Sequence, residues 1–327
     1  MQQLNKMNEI DVLNLFKNGD KVPWLSDNEP GFLSYKRCPN LWNLGARPSN
    51  QDSSEASDIV ENIITCANMY AYANRKSNQV NEENIYIKAY KELAIYLKYL
   101  FIFYNDKLTD KYIKEKISNW GWYNLFQCIK DNPNKFENIT IITYNYDVWL
   151  ERVLTIMGIK YNIVGLTNYE DSIVDIIKPH GSISFRSKRS LENSAFKINY
   201  NRDIIGAELD ELTVDCDNLK IHSHINALIP PAGDSSRFSS SWSNKLHKVA
   251  KESANKLIPN DEVILCGLSY WHVDRLEIDE ILLSLDSEVN FKIINPKIPS
   301  SLNAVVSSIF SNYVSYSSSD ILGGLYE

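Results

Sequence analysis

Four short polar clusters carry the residue types that chemistry needs. Thr143 to Asp147 (Thr-Tyr-Asn-Tyr-Asp) close one apolar run and Lys178 to Ser182 (Lys-Pro-His-Gly-Ser) a second, while Gly267 to Tyr270 and Asn295-Pro296 close a third and a fourth. His180 stands between Pro179 and Gly181 with little neighbouring bulk. A neutral imidazole so placed can accept a proton from a hydroxyl or water and suits a general base. Asn145 and Asp147 precede what reads as the apolar face of a helix (Val148, Leu150, Val153, Leu154), with Glu151 on another face. A strand, a polar elbow and a helix start expose side chains and backbone N–H groups to a ligand and favour an anion. The structural alternative is that Asp147 caps the helix, Asn145 fixes the turn and His180 is a packed histidine. Gly267 lets a backbone approach a phosphate and Ser269 offers it a hydroxyl. Asn295 suits a ribose hydroxyl, or simply the turn with Pro296.

Metal chemistry is not expected from the spacing. His222 and His224 form an HxH pair with no third ligand close in sequence, so a structural role is expected. Cys38, Cys66, Cys128, Cys216 and Cys266 are odd in number, scattered and never paired as CxxC. They encode neither a disulfide framework nor a zinc ribbon and read as reduced thiols.

The elements that must position these residues follow from the pattern. Strands are expected at Ile139 to Tyr144, Ile173 to Ile177, Val263 to Cys266 and Phe291 to Ile294, each a nearly continuous apolar run of the kind buried on both faces of a parallel sheet. Each ends in one of the four clusters, at the carboxyl end where open α/β sheets place ligands, so the clusters are expected to outline one rim of one sheet, with Asn145 and His180 converging at solvent-facing strand ends. The expected fold class is α/β, a parallel sheet with a helical module and a small insertion. Residues 1–56, interrupted by Pro23, Pro30, Pro39 and Pro48, are expected to be irregular. Residues 57–135 carry helical spacing, as in Ile59, Ile63, Ile64 and Ala67. Residues 136–327 carry the expected strands, with a polar insertion at about 186–220, a serine-rich loop at 235–243 before a helix at 242–257, and a late strand or tail at 315–319. The aromatic-rich stretch from Tyr86 to Tyr123 reads as core, with an interface as the alternative.

Composition narrows the function classes. The 327 residues are 44% hydrophobic and 23% charged, which is globular rather than disordered. A net charge of -7 provides no whole-molecule field for nucleic acid. The longest apolar stretches, such as Leu97 to Tyr104, fall short of the roughly 20 residues of a membrane helix. No signal-peptide core is evident at the start, so a cytoplasmic location is expected.

In their order, Thr143-x-Asn145-Tyr146-Asp147 with Glu151, Lys178-x-His180-Gly181-Ser182, Gly267-x-Ser269-Tyr270 with Asp274, and Ile293-Ile294-Asn295-Pro296 resemble the bacterial sirtuin-like proteins, and within them the branch that hydrolyses NAD in antiviral defence. The resemblance covers about Phe136 to Pro296. It implies a Rossmann-like NAD-binding domain over residues 136–327 with a helical module, and NAD as substrate without a metal, with Asn145 positioning water or the nicotinamide ribose and His180 acting as base or orienting a ribose hydroxyl. Asp147 would support the site, Thr143 and Gly181 would lie against the nucleotide, Gly267 and Ser269 near the phosphates, and Asn295 near the adenosine ribose. It also implies control by self-association or by a regulatory defence protein, and leaves ADP-ribosyl transfer, cyclisation or a nucleotide-binding sensor as alternatives to hydrolysis. Two departures stand out. Only Cys216 occupies the interval where deacylating relatives carry two CxxC pairs. The glycine loop Gly-Ala-Gly-x-Ser that opens the family has no full counterpart; the nearest stretch is Leu44-Gly45-Ala46-Arg47-Pro48-Ser49, in which Arg47 would either meet a phosphate or belong to a linker.

Overall fold

The computed structural model describes residues 10–11, 14–49, 52–77, 84–200, 207–230, 241–270 and 275–326. The chain is mixed α/β with parallel sheets. The N-terminal part is mostly turns. Its apolar residues Phe16, Val22, Phe32, Leu33 and Leu41 are nonetheless fully buried. The helix α1 (Pro39–Asn43) and α2 (Ser53–Ser77) pack on α3 (Ile85–Asp106). Leu93, Ala94, Tyr96, Leu97, Leu100 and Tyr104 of α3 are buried, so α3 is apolar around most of its circumference and forms the centre of the module. The aromatic stretch is therefore core at Tyr96, Tyr99 and Tyr104. The helices α4 (Asp110–Lys116) and α5 (Gly121–Asp131) complete the module.

All four expected strands form. The strand β1 (Ile139–Ile142) is followed by α6 (Trp149–Met157), then β2 (Asn162–Ile163) and β3 (Val174–Ile177). They make a parallel sheet in the order β1-β3-β2, with Ile139 opposite Val174 and Ile142 opposite Ile177. β1 ends two residues before its expected limit, because the Asn145 amide donates to Thr143 Oγ1 at 3.2 Å and turns the chain out of the sheet.

From β4 (Gly181–Ser187) the chain turns antiparallel. β4 lies between β6 (Leu212–Val214) and β8 (Asn226–Leu228), and β5 (Ser190–Leu191) pairs with β7 (His222–Ser223). The polar stretch 186–220 falls within these small sheets. The helix α7 (Ser241–Ala254) then leads to β9 (Glu262–Cys266), α8 (Arg275–Leu282), β10 (Asn290–Ile294), α9 (Ser300–Ile309) and β11 (Asn312–Tyr316). These last strands form a second parallel sheet, β9-β10-β11. Its own core includes Phe291, Ile293, Leu302, Val306 and Phe310, with the Phe291 and Phe310 rings stacked at 4.3 Å.

One expectation is corrected here. The four apolar strands do not share one sheet. Among the described residues β1 and β3 belong to one three-stranded sheet and β9 and β10 to another, with no ladder joining β1 to β9.

Candidate functional site

The elbow after β1 is built by a side-chain turn and a buried charge pair. The Asp147 carboxylate accepts from the Trp149 amide at 3.0 Å, but the N-cap of α6 is Val148, without a side-chain cap bond, so Asp147 braces the turn one residue before the cap it was expected to be. Burial raises the Asp147 carboxyl above its ordinary range, opposed by the nearby Lys178 ammonium and the Trp149 amide. One turn into α6, Glu151 meets Lys178 Nζ at 2.7 Å, both side chains being 1% exposed. Lys178 also donates to the Asp147 carbonyl. The conspicuous charges of the first two clusters thus fasten the end of β3 to α6. Asn145, at the outer point of the elbow, is exposed, and among the described residues its side-chain amide has no partner.

The turn after β3 is clamped from three directions. Gly181 has φ +83, and a Cβ there would come within 2.0 Å of the Ala227 carbonyl oxygen and 2.9 Å of Trp242. Only glycine fits a left-handed position against that backbone. Ser243 Oγ at the start of α7 donates to the Pro179 carbonyl at 2.9 Å, and the Ile229 amide donates to the His180 carbonyl at 3.0 Å. His180 is consequently 3% exposed rather than solvent-facing, a second correction. Its turn is drawn inward by α7 and β8. Its ring lies edge-on to Tyr144, with centroids 4.7 Å apart, and parallel to Tyr146 at 6.5 Å.

Two partners of His180 carry no signal near it in the sequence. Nε2 lies 2.7 Å from Glu277 Oε2 on α8, and Nε2 of His247 on α7 lies 3.2 Å from the same oxygen. A carboxylate only accepts, so a His180 Nε2–H donating to Glu277 leaves Nδ1 with the lone pair. Among the described residues His180, His247 and Glu277 are the group whose donor atoms could share one cation, all lying within 4.8 Å of one another. Chemically the trio can relay a proton or hold a borderline ion such as zinc. The nearest sequence hint is Asp274, three residues before Glu277, which lies outside the described residues.

The third and fourth clusters meet each other. Asn295 Nδ2 donates to the Leu268 carbonyl at 2.7 Å, and its Oδ1 accepts from the Lys297 amide at 3.2 Å, so this side chain holds the loop after β9 and its own turn. Gly267 has φ +67, and a Cβ there would meet nothing within 4 Å. Ser269 is exposed. Thr143, Tyr144, Asn145, Asp147, Gly267 and Pro296 line one cavity of about 1820 Å³. His180, Gly181, Ser269 and Asn295 stand outside its lining, and His180 reaches it only through the Tyr144 ring.

Other expectations resolve locally. His222 Nδ1 lies 3.1 Å from the Glu192 carbonyl and its ring packs edge-on against Phe196, while His224 is exposed. Burial lowers the His222 imidazole below its usual range. The pair is structural. The stretch before Gly45 is helix α1, not a strand. Arg47 donates to the Trp42 and Ala46 carbonyls and stacks 4.1 Å over the Trp42 ring, so its guanidinium is committed within its own loop. Within the described residues no helix is long and apolar enough to cross a membrane.

No protein-family model and no curated protein matches the sequence.

Proposed function

We propose that this protein is an NAD glycohydrolase with a sirtuin-like, Rossmann-like nucleotide-binding fold, releasing nicotinamide and ADP-ribose. The observation that carries the reading is the position of Asn145, an exposed amide at the carboxyl end of a parallel strand, facing the same cavity as Gly267 and backed through Tyr144 by the imidazole of His180. Nicotinamide leaves as a neutral molecule from a cationic nitrogen, so the reaction asks for no strong acid. It asks for a held ribose, a shielded oxocarbenium ion and a directed water. The Asn145 amide can donate to the ribose and accept from the water. The Tyr144 ring stands between that cavity and His180, and Glu277 fixes the imidazole behind it, so His180 acts as a positioning group for Tyr144 rather than meeting the ribose itself. The glycine at 267 leaves backbone room for a phosphate.

The resemblance of the four clusters supplies the biological side of the proposal: a cytoplasmic toxic effector of antiphage defence, held in check by self-association or a regulatory partner. With Cys216 alone in the interval of the zinc ribbon, hydrolysis is favoured over deacylation.

A nucleotide-binding sensor with little turnover is the second reading, favoured by the closure of His180 to 3% exposure. Purified protein incubated with NAD, beside Asn145→Ala, separates them. Glycohydrolysis yields nicotinamide with ADP-ribose, lost by about 100-fold or more in the variant, as for removal of a positioned transition-state donor. NAD bound without nicotinamide release would assign the sensor instead.

A further inference from the structure

One stripe of α7 ties three parts of the molecule together. Ser243, His247 and Lys251 follow one another at four-residue spacing, so their side chains rise from one face of the helix. Ser243 Oγ donates to the Pro179 carbonyl, in the turn after β3, at 2.9 Å. Lys251 Nζ meets Glu280 Oε2 on α8 at 3.1 Å. His247 lies between them, and its Nε2 stands 3.2 Å from Glu277 Oε2, the oxygen that His180 Nε2 approaches to 2.7 Å. The bonds on either side hold the turn and α8 against α7 at the level where these three side chains meet.

The meeting point crosses a seam. His180 follows β3 of the first parallel sheet, Glu277 lies on the helix that connects β9 and β10 of the second, and among the described residues no ladder joins the two sheets. Tyr144, whose ring is edge-on to His180 and 6.2 Å from that of His247, packs into the second core. The side chains of His180 and Glu277 are 4% and 6% exposed and that of His247 13%. One histidine is enough to partner a buried carboxylate oxygen. Two imidazoles and a carboxylate with donor atoms within 4.8 Å of one another make instead the donor set of an ion, with a fourth position left for water. Imidazole nitrogen suits zinc and its neighbours, whereas calcium and magnesium want oxygen. Around an ion with bonds of about 2.0–2.1 Å, tetrahedral ligand atoms stand roughly 3.3 Å apart. The separation of His247 from Glu277 already matches. His180 has to withdraw by only about 0.6 Å, and its neutral ring presents a lone pair there by carrying its proton on Nδ1 instead of Nε2.

We propose that His180, His247 and Glu277 bind one divalent ion of the zinc class, which fastens the turn after β3 to α7 and α8 across the seam between the two parallel sheets. Nε2 of both histidines and one carboxylate oxygen of Glu277 are the ligands, and water takes the fourth position. Ligands carried on two helices and a clamped turn are held more precisely than ligands on free loops. The NAD reading above asks for no metal, so the two proposals stand or fall separately.

The test uses the full chain freed of metal by a chelator, with zinc, calcium and magnesium salts as probes and no NAD. Zinc is expected to bind at one ion per chain and to raise the midpoint of urea unfolding, while calcium and magnesium at the same concentration do neither. Cobalt(II) in place of zinc is expected to show the visible bands of a four- or five-coordinate centre without thiolate charge transfer. Glu277→Gln, which keeps the shape of the side chain, and His247→Ala, each shown folded by circular dichroism, are expected to weaken zinc binding by at least the roughly 100-fold that loss of an outer-shell partner can cost. His224→Ala, at the exposed histidine of the other pair, is expected to leave it unchanged. No stoichiometric zinc binding by the parent, an equal response to calcium or magnesium, thiolate absorption from cobalt, loss of binding in His224→Ala, or zinc affinity within about tenfold of the parent in either folded ligand variant would each overturn the proposal.

Discussion

The Lys178 ammonium and the Glu151 carboxylate stand 2.7 Å apart at 1% exposure, joining the end of β3 to the first turn of α6 beneath the Asn145 elbow. Removing one member of such a pair strands the other charge in the interior. We expect Glu151→Ala to cost about 3–5 kcal/mol in urea unfolding. The double variant Glu151→Leu with Lys178→Met should lose markedly less than the two single losses together. Equal additive losses would deny the coupling.

His180 is held by burial as much as by chemistry. His180→Ala leaves the Glu277 carboxylate, 6% exposed, without its nearest partner. A loss of about 2–4 kcal/mol is expected by chemical denaturation. Combining it with Glu277→Ala should recover part of that loss, which a double-mutant cycle reads directly. A His180→Ala protein as stable as the parent would mean the pair bears no load.

The two glycines of the site differ in what surrounds them. At Gly181 an added Cβ meets the Ala227 carbonyl at 2.0 Å in addition to the strain of φ +83, whereas at Gly267 the strain of φ +67 acts alone. Gly267→Ala should cost about 1–2 kcal/mol, and Gly181→Ala more than 3 kcal/mol once overpacking is added. Melting curves of the two variants test the order, and the reverse order would refute it.

Lys98, at 5% exposure in α3, is pushed down to about 8 by burial, with the Arg186 guanidinium adding to the effect. Below that value both folded and unfolded chains carry the proton, and the fold bears the full penalty. Between about 8 and the ordinary 10.5 the unfolded chain binds more protons, so this group makes stability rise with pH across that window. At about 1.4 kcal/mol per pH unit the penalty at pH 7 is of the order of 3 kcal/mol. Lys98→Met should raise stability at pH 7 and flatten the rise between pH 8 and 10, as followed by unfolding at several pH values.

Much of this was legible in the residues themselves. Ile139 to Ile142 and Val263 to Cys266 announce parallel strands because β-branched runs have few other uses, although both strands are half-exposed where burial on both faces was expected, and Asp147 sits just before a helix whose first amide needs an acceptor. The limit of β1 was not, because it is set by one hydroxyl, Thr143 Oγ1, taking the Asn145 amide. Glu277 and His247 were also invisible. Each lies on a helix far along the chain from His180, and only the packing of α7 and α8 brings them to it. The burial of His180 follows from Ser243 and Trp242 in the same way. The separation of the strands into two sheets could not be read from the strands, since a run suited to burial on both faces does not say what lies beside it.

Arg152 follows Glu151 in α6 and reaches the opposite way, to the Asn105 side chain at 2.9 Å, the Leu108 carbonyl and the Asp110 carboxylate at 2.6 Å. Neighbouring residues of one short helix are thus bolted to two different bodies, the parallel sheet through Glu151 and the α3–α4 corner through Arg152. The helical module is for that reason no interchangeable accessory. A lineage that swapped it for another would have to rewrite α6, and with it the strut that sets the height of Asn145 above the sheet.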